Sequence, residues 1–166
     1  MAIREIVTQG DPVLNKVCHP VTKFDSKLAD LLDDMKDTLA KANGLGLAAP
    51  QVGILRRAVI VLDDEGNMME LVNPEIIDQD GEVEGLEGCL SVPGVYGYVT
   101  RPEWVKVKAQ DRSGNWFEVE GTDMVARCFC HDLGHLDGHL YVELADKLYT
   151  PEELDAMMDD MEDEEE

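Results

Sequence analysis

The residues best placed to do chemistry are His131 and His135. On a helix, side chains four apart stand one turn above each other on the same face. This pair can therefore present two imidazoles to one metal ion. Asp132 follows the first histidine directly. The arrangement matches the helical metal-site pattern of histidine, acid, two residues and histidine, with aspartate where that pattern carries glutamate. The whole stretch reads Cys128-Phe129-Cys130-His131-Asp132-Leu133-Gly134-His135. Two histidines at this spacing also occur on solvated faces or as hydrogen-bonded pairs, and spacing alone does not separate the readings.

A third ligand is needed. Cys89, flanked by Gly88 in a strand-or-loop segment far upstream, would complete a Cys-His-His set and leave one tetrahedral position open for water. The rival set draws on Cys128, which lies three residues before His131 and roughly on its face, or on Cys130, which projects about 100° away. A site made from the helix alone would be structural or incidental. The four cysteines show no framework of a secreted disulfide scaffold, and in a reducing compartment they read as buried thiols or metal ligands.

The elements that must position these groups follow from periodicity. Ile3 to Val7 reads as a short strand before the Gly10-Asp11-Pro12 turn. Asp25 or Ser26 can cap a helix whose apolar positions, from Leu28 and Leu31 to Leu39, follow helical spacing, with Asn43-Gly44 closing it. Gly44 to Gly53 reads as a glycine-rich turn. It lacks the third glycine of a dinucleotide fingerprint and the Lys-Ser/Thr of a phosphate loop, so neither nucleotide reading holds. Small residues there let a backbone approach closely, and Gln51 adds one amide side chain. Arg57 to Leu62 is a buried-strand candidate, and a second strand from Glu70 ends at Asn73-Pro74. Strand-like pieces continue over Glu82 to Glu84 and Glu87 to Pro93. Trp104 to Gln110 and Trp116 to Glu120 form a hairpin. Thr122 or Asp123 caps the second main helix, which is apolar nearly all round and so buried. Two imidazoles on a buried helix need partners. A third helix begins at Pro151 and runs through Met158.

The chain has 166 residues, 44% of them hydrophobic, which suits one domain with a substantial core. The absence of a signal peptide and of a long apolar run predicts a soluble cytoplasmic protein. A net charge of −22 argues against DNA, other nucleic acid or an anionic membrane as partner, since all are polyanions. Much of that charge lies in 151–166, an acidic helix and tail whose end is expected to be disordered. Residues 1–150 are then expected to form the folded domain.

Three separated blocks carry a resemblance to a known family. Gly44-Leu45-Gly46-Leu47-Ala48-Ala49-Pro50-Gln51, Glu87-Gly88-Cys89-Leu90-Ser91 and His131-Asp132-Leu133-Gly134-His135 look like the three signature motifs of the peptide deformylases, in the right order. The likeness runs from about Ile3 to Tyr149 and includes Gly10 to Leu14 and Asn73-Pro74. It implies an α+β fold in which small antiparallel sheets pack around the helix carrying the histidines. It also implies a metal held by Cys89, His131 and His135, commonly Fe²⁺, with Zn²⁺, Ni²⁺ or Co²⁺ as substitutes. The implied substrate is the formyl-methionyl end of a nascent peptide, with room for a transient ribosome contact. The products would be formate and a free amino terminus. In such a site Gln51 and the backbone N–H of Leu90 would stabilise an oxyanion, and Asp132 would move the proton. Leu45 and Gly46 would pair with the peptide backbone as an added strand. Cys128 and its apolar neighbours would receive the methionine side chain, with Gly88 beside them.

The third block departs from the family pattern, His-Glu-x-Asp-His, at two positions. Asp132 draws the carboxylate back by one methylene, and a misplacement of about 1 Å can cost ~10²-fold in rate. Gly134 costs about 1 kcal/mol relative to alanine inside a helix and removes an acid expected to pair with Arg101 or Arg127. A slowed deformylase is the reading that follows. Its alternatives are a related metallohydrolase with a different acyl-amide substrate and a catalytically silent homologue that binds peptides or metal.

Overall fold

The structure is a computed structural model and describes residues 3–157. Its centre is a five-stranded antiparallel sheet in the order β1-β2-β3-β6-β7, made of β1 (Gly46–Ala48), β2 (Ala58–Leu62), β3 (Met68–Asp80), β6 (Trp104–Gln110) and β7 (Trp116–Thr122). A second sheet has the order β4-β5-β8, from β4 (Val83–Cys89), β5 (Val92–Arg101) and β8 (Leu148–Tyr149). Helices α1 (Ser26–Ala42) and α2 (Asp123–Leu136) complete the core.

Strand β2 shows why two helices can share one sheet. Its side chains alternate between faces. Ala58 and Ile60 pack with Leu28, Leu32 and Met35 of α1. Val59 and Val61 pack with Phe129 and Leu136 of α2. All five of its residues are apolar because both faces are covered, which is why it reads as a continuous hydrophobic run. A third cluster, including Leu14, Val92, Val99 and Tyr141, seals the smaller sheet. Helix α2 thus lies against the larger sheet and also reaches the smaller one, where Arg127 donates to the carbonyls of Val83 and Val99.

Helix α1 starts as its cap predicts. Asp25 accepts from the Leu28 N–H at 3.1 Å, and Asn43 closes the helix in the left-handed region at φ 55°. Helix α2 follows Thr122 and is buried along most of its length, with Met124 its large exposed apolar residue. Residues 151–157 are helical, as Pro151 predicts; the expected helical Met158 and disordered tail end lie outside the described residues.

Three expectations need correction. Ile3 to Val7 is not a strand: its backbone is satisfied singly, Arg4 N–H by the Thr38 hydroxyl and Val7 N–H by the Gln51 carbonyl, with no ladder to join. Strand β3 does not stop at Asn73-Pro74. A register shift between Val72 and Glu75 absorbs the missing proline donor, and Asn73, at φ 49°, exchanges hydrogen bonds with Val21 through its side chain. The glycine-rich segment is more than a turn, since it holds β1 and a 3-10 turn, Ala49–Val52, that buries Gln51.

Candidate metal centre and active site

Three donor atoms converge from two elements. Cys89 closes β4, and His131 and His135 stand one turn apart on α2. His135 Nε2 lies 3.4 Å from Cys89 Sγ and 3.3 Å from His131 Nε2. A tetrahedral ion about 2.0 Å from nitrogen and about 2.3 Å from sulfur requires edges of about 3.3 Å between nitrogens and about 3.5 Å between nitrogen and sulfur. The residues present fit one divalent ion with a fourth position open. The rival set is not assembled: Cys128 Sγ turns instead to Asp132, with Oδ2 3.7 Å away.

The surrounding charges suit the same role. Glu87 Oε1 lies 2.9 Å from His131 Nδ1. The carboxylate can only accept, so Nδ1 carries the proton and the Nε2 lone pair faces the cluster. Burial opposes a charge on Glu87, but hydrogen bonds from Arg101 and His131 overcome it and hold its carboxyl at about 2. Arg127 adds a further bond to Glu87 at 2.7 Å. Burial and the neighbouring His131 and Arg101 push His135 down to about 3, leaving the neutral imidazole that ligates metals. Burial also opposes charge on His131, yet hydrogen bonds to Cys89 and Glu87, with the Asp132 charge, raise it to about 10. A proton and a metal compete for one lone pair, so the groups that draw a proton to Nε2 equally draw a cation. Support around the two histidines is uneven: His135 Nδ1 is buried and has no hydrogen-bond partner among the described residues.

A cavity of about 500 Å³ opens beside the cluster. Nine of the ten residues singled out by sequence line it, namely Leu45, Gly46, Gln51, Gly88, Cys89, Leu90, Cys128, His131 and Asp132, while His135 lies behind, 1% exposed. Gln51 is fixed at both ends of its amide. Its oxygen accepts from Ala48 N–H at 2.9 Å, and its nitrogen donates to Ser91 Oγ at 3.1 Å and towards Cys89 Sγ at 3.5 Å. Asp132 is buried, which pushes its carboxyl up to about 7. Leu90 follows Cys89 in the turn between β4 and β5, and Gly88 faces the Tyr96 ring so closely that a Cβ would sit 2.7 Å from it. Strand β1 pairs with β2 on one side and forms the edge of its sheet, where a peptide can add.

Sequence reasoning assigned no role to Glu87. Alternation alone did not signal it, since the strand register shifts between Glu87 and Cys89 and an acid on a strand reads as solvated. Sequence reasoning also misplaced the arginines' partner. Arg101 donates to both Glu87 oxygens, at 2.8 and 3.0 Å, and a Cβ at Gly134 would meet only His139, with 3.9 Å to its carbonyl oxygen.

A Cys-His-His cluster shared by β4 and the buried helix α2, beside a cavity bordered by an edge strand, fits the metal site of a hydrolase. The family profile described as Polypeptide deformylase matches residues 3–150. The peptide deformylase of Agathobacter rectalis is 56% identical over 143 residues, covering 86% of this chain and 90% of the relative. Peptide deformylase 1 of Bacillus subtilis is 48% identical over 158 residues, 95% of this chain and 99% of that one. The crystal structure of a peptide deformylase from Legionella pneumophila superposes with a TM-score of 0.84 at 41% identity, covering 95% and 96% of the two chains. The chain belongs to the peptide deformylase family.

Proposed function

We propose that this enzyme removes the formyl group from formyl-methionyl nascent peptides, with Cys89, His131 and His135 holding Fe²⁺ and with Zn²⁺, Ni²⁺ or Co²⁺ as working substitutes. The observation that carries the reading is the convergence of those three donors at the wall of a cavity that an edge strand borders. When bound, the metal supplies Lewis acidity, lowering the pKa of a water and polarising the formyl carbonyl. Leu45 and Gly46 pair with the peptide backbone and bring the formyl carbon to the cluster. The Gln51 N–H that points towards Cys89 Sγ at 3.5 Å, and the backbone N–H of Leu90, donate to the oxygen that gains charge as the carbon becomes tetrahedral. Asp132 takes a proton from the attacking water on its carboxylate and delivers it to the leaving nitrogen as the C–N bond breaks, giving formate and a free amine. Cys128 and its neighbours face the methionine side chain, with Gly88 alongside. Residues 1–150 form the catalytic unit and 151–166 an acidic appendage. The nascent-chain substrate is consistent with a transient contact at the ribosome and a cytoplasmic setting; among the described residues no helix is long and apolar enough to cross a membrane.

The test is the appearance of Met-Ala-Ser from formyl-Met-Ala-Ser, with acetyl-Met-Ala-Ser run beside it. Turnover of the formyl peptide alone is expected. Turnover of the acetyl peptide alone would move the reading to another acyl amide, and turnover of neither by metal-loaded protein would leave a silent binder.

A further inference from the structure

The family pattern places glutamate after the first histidine, and this chain has Asp132. A shorter acid has less reach, so its orientation matters more. The carboxylate is 2% exposed and is held from two sides. Cys128, one helical turn earlier, points its thiol at Oδ2 with 3.7 Å between sulfur and oxygen. This is the one side-chain hydrogen bond made to Asp132 among the described residues. On the other side lies the backbone of Gly46 in β1. A Cβ there would come 2.2 Å from Oδ2 and 2.5 Å from Cys128 Sγ, so carboxylate and thiol both pack against the space that glycine leaves.

We propose that Cys128 is a positioning residue whose thiol orients the shortened Asp132 carboxylate against Gly46 of β1. A thiol is a weak donor, but towards a buried anion its bond strengthens. The spacing of four residues on α2 fixes the donor with no further ordering of the backbone. Burial, then the Asp132 charge, pushes the Cys128 thiol well above its usual range, so sulfur keeps the proton it donates. This role differs from that of a pocket wall. A wall that only touches the methionine side chain would change KM, whereas a residue that aims the proton carrier changes kcat.

The inference rests on the reading of Asp132 as the proton carrier, and the experiment separates the two. Steady-state deformylation is measured for metal-loaded wild type, Cys128→Ala and Cys128→Ser, each also in an Asp132→Glu background. Cys128→Ala is expected to lower kcat about tenfold, part of the ~10²-fold that a 1 Å misplacement costs, with KM changed less than about twofold. Cys128→Ser, which keeps a donor, should retain most of the rate and guards against a folding defect in the alanine variant. In the Asp132→Glu background the alanine substitution should change kcat by less than about twofold, because glutamate reaches without the thiol. A raised KM at unchanged kcat, or the same loss in both backgrounds, overturns the proposal. Should wild type release no formate, the function reading fails and crystal structures of wild type and Cys128→Ala decide this one. A carboxylate that leaves Gly46 in the variant supports it, and one that stays in place overturns it.

Discussion

Gly46 is where two demands meet at the scale of single atoms. It belongs to the edge strand that would pair with peptide, and the absence of its side chain makes room for the Asp132 carboxylate and the Cys128 thiol. Gly46→Ala is therefore expected to displace Asp132 and lower kcat by about 10²-fold, the effect of a 1 Å shift, while the protein stays folded. Deformylation kinetics with a thermal melt check this, and near-wild-type kcat would contradict it. The glycine-rich segment was legible as a place of close approach. The groups it approaches were not, because sequence order says nothing of which side chain arrives from α2.

Helix α2 carries two of the three donors and Asp132, and its two departures from the family pattern act on different sides of it. Asp132 faces the cavity, whereas the Gly134 position faces His139 with room for a methyl. Gly134→Ala is expected to stabilise the protein by about 1 kcal/mol, the helix-interior cost of glycine, and to raise Tm without changing KM. A fall in Tm would mean that the space is needed. The strand opposite matters as much, since Glu87 of β4 fixes His131 and anchors Arg101 and Arg127. Glu87→Gln should weaken metal binding by about 10–100-fold, as loss of a ligand's supporting hydrogen bond does, measured by chelator competition. Unchanged affinity would assign Glu87 to fold stability alone. Both helices were legible from periodicity and α1 also from its Asp25 cap, whereas Thr122 precedes α2 without a side-chain capping bond; Cys89 was legible from the resemblance. The Glu87 network was not, because an acid on a strand reads as a solvated position until a buried arginine is seen beside it. The bulge at Asn73-Pro74 was missed for a related reason: proline signals the end of a strand unless the irregularity is stabilised, as it is here by the Asn73 side chain bonding to the Val21 backbone.

At the scale of the molecule, the chain carries a net charge of −22, and seven of its fourteen Lys and Arg side chains form salt bridges among the described residues. Glu70 on β3 takes Lys36 of α1 and Arg112 of the β6–β7 turn, and Arg112 also holds Asp33, which ties α1 to the larger sheet. Burial opposes the Glu70 charge, and its bonds to Arg112 and Lys36 prevail, holding the carboxyl below its ordinary value of 4.5. The folded state therefore binds this proton less readily than the unfolded chain. The contribution is full above pH 4.5 and is lost as pH falls through the lowered folded value. Because the partners are partly exposed, the contribution is on the order of 1 kcal/mol. Glu70→Gln should lower Tm near neutral pH and narrow the gap to wild type as the solution is acidified. A gap that widens on acidification would contradict the assignment.

The most direct test of the account is the rate of formate release from formyl-Met-Ala-Ser by anaerobically purified, Fe²⁺-loaded protein, with Asp132 and with Asp132→Glu. Turnover in both, faster by about 10–100-fold in the glutamate variant as the carboxylate regains about 1 Å of reach, is the predicted result. Formate from neither protein at full metal occupancy would contradict it, and turnover by the aspartate form that glutamate abolishes would remove Asp132 from the proton-carrying role.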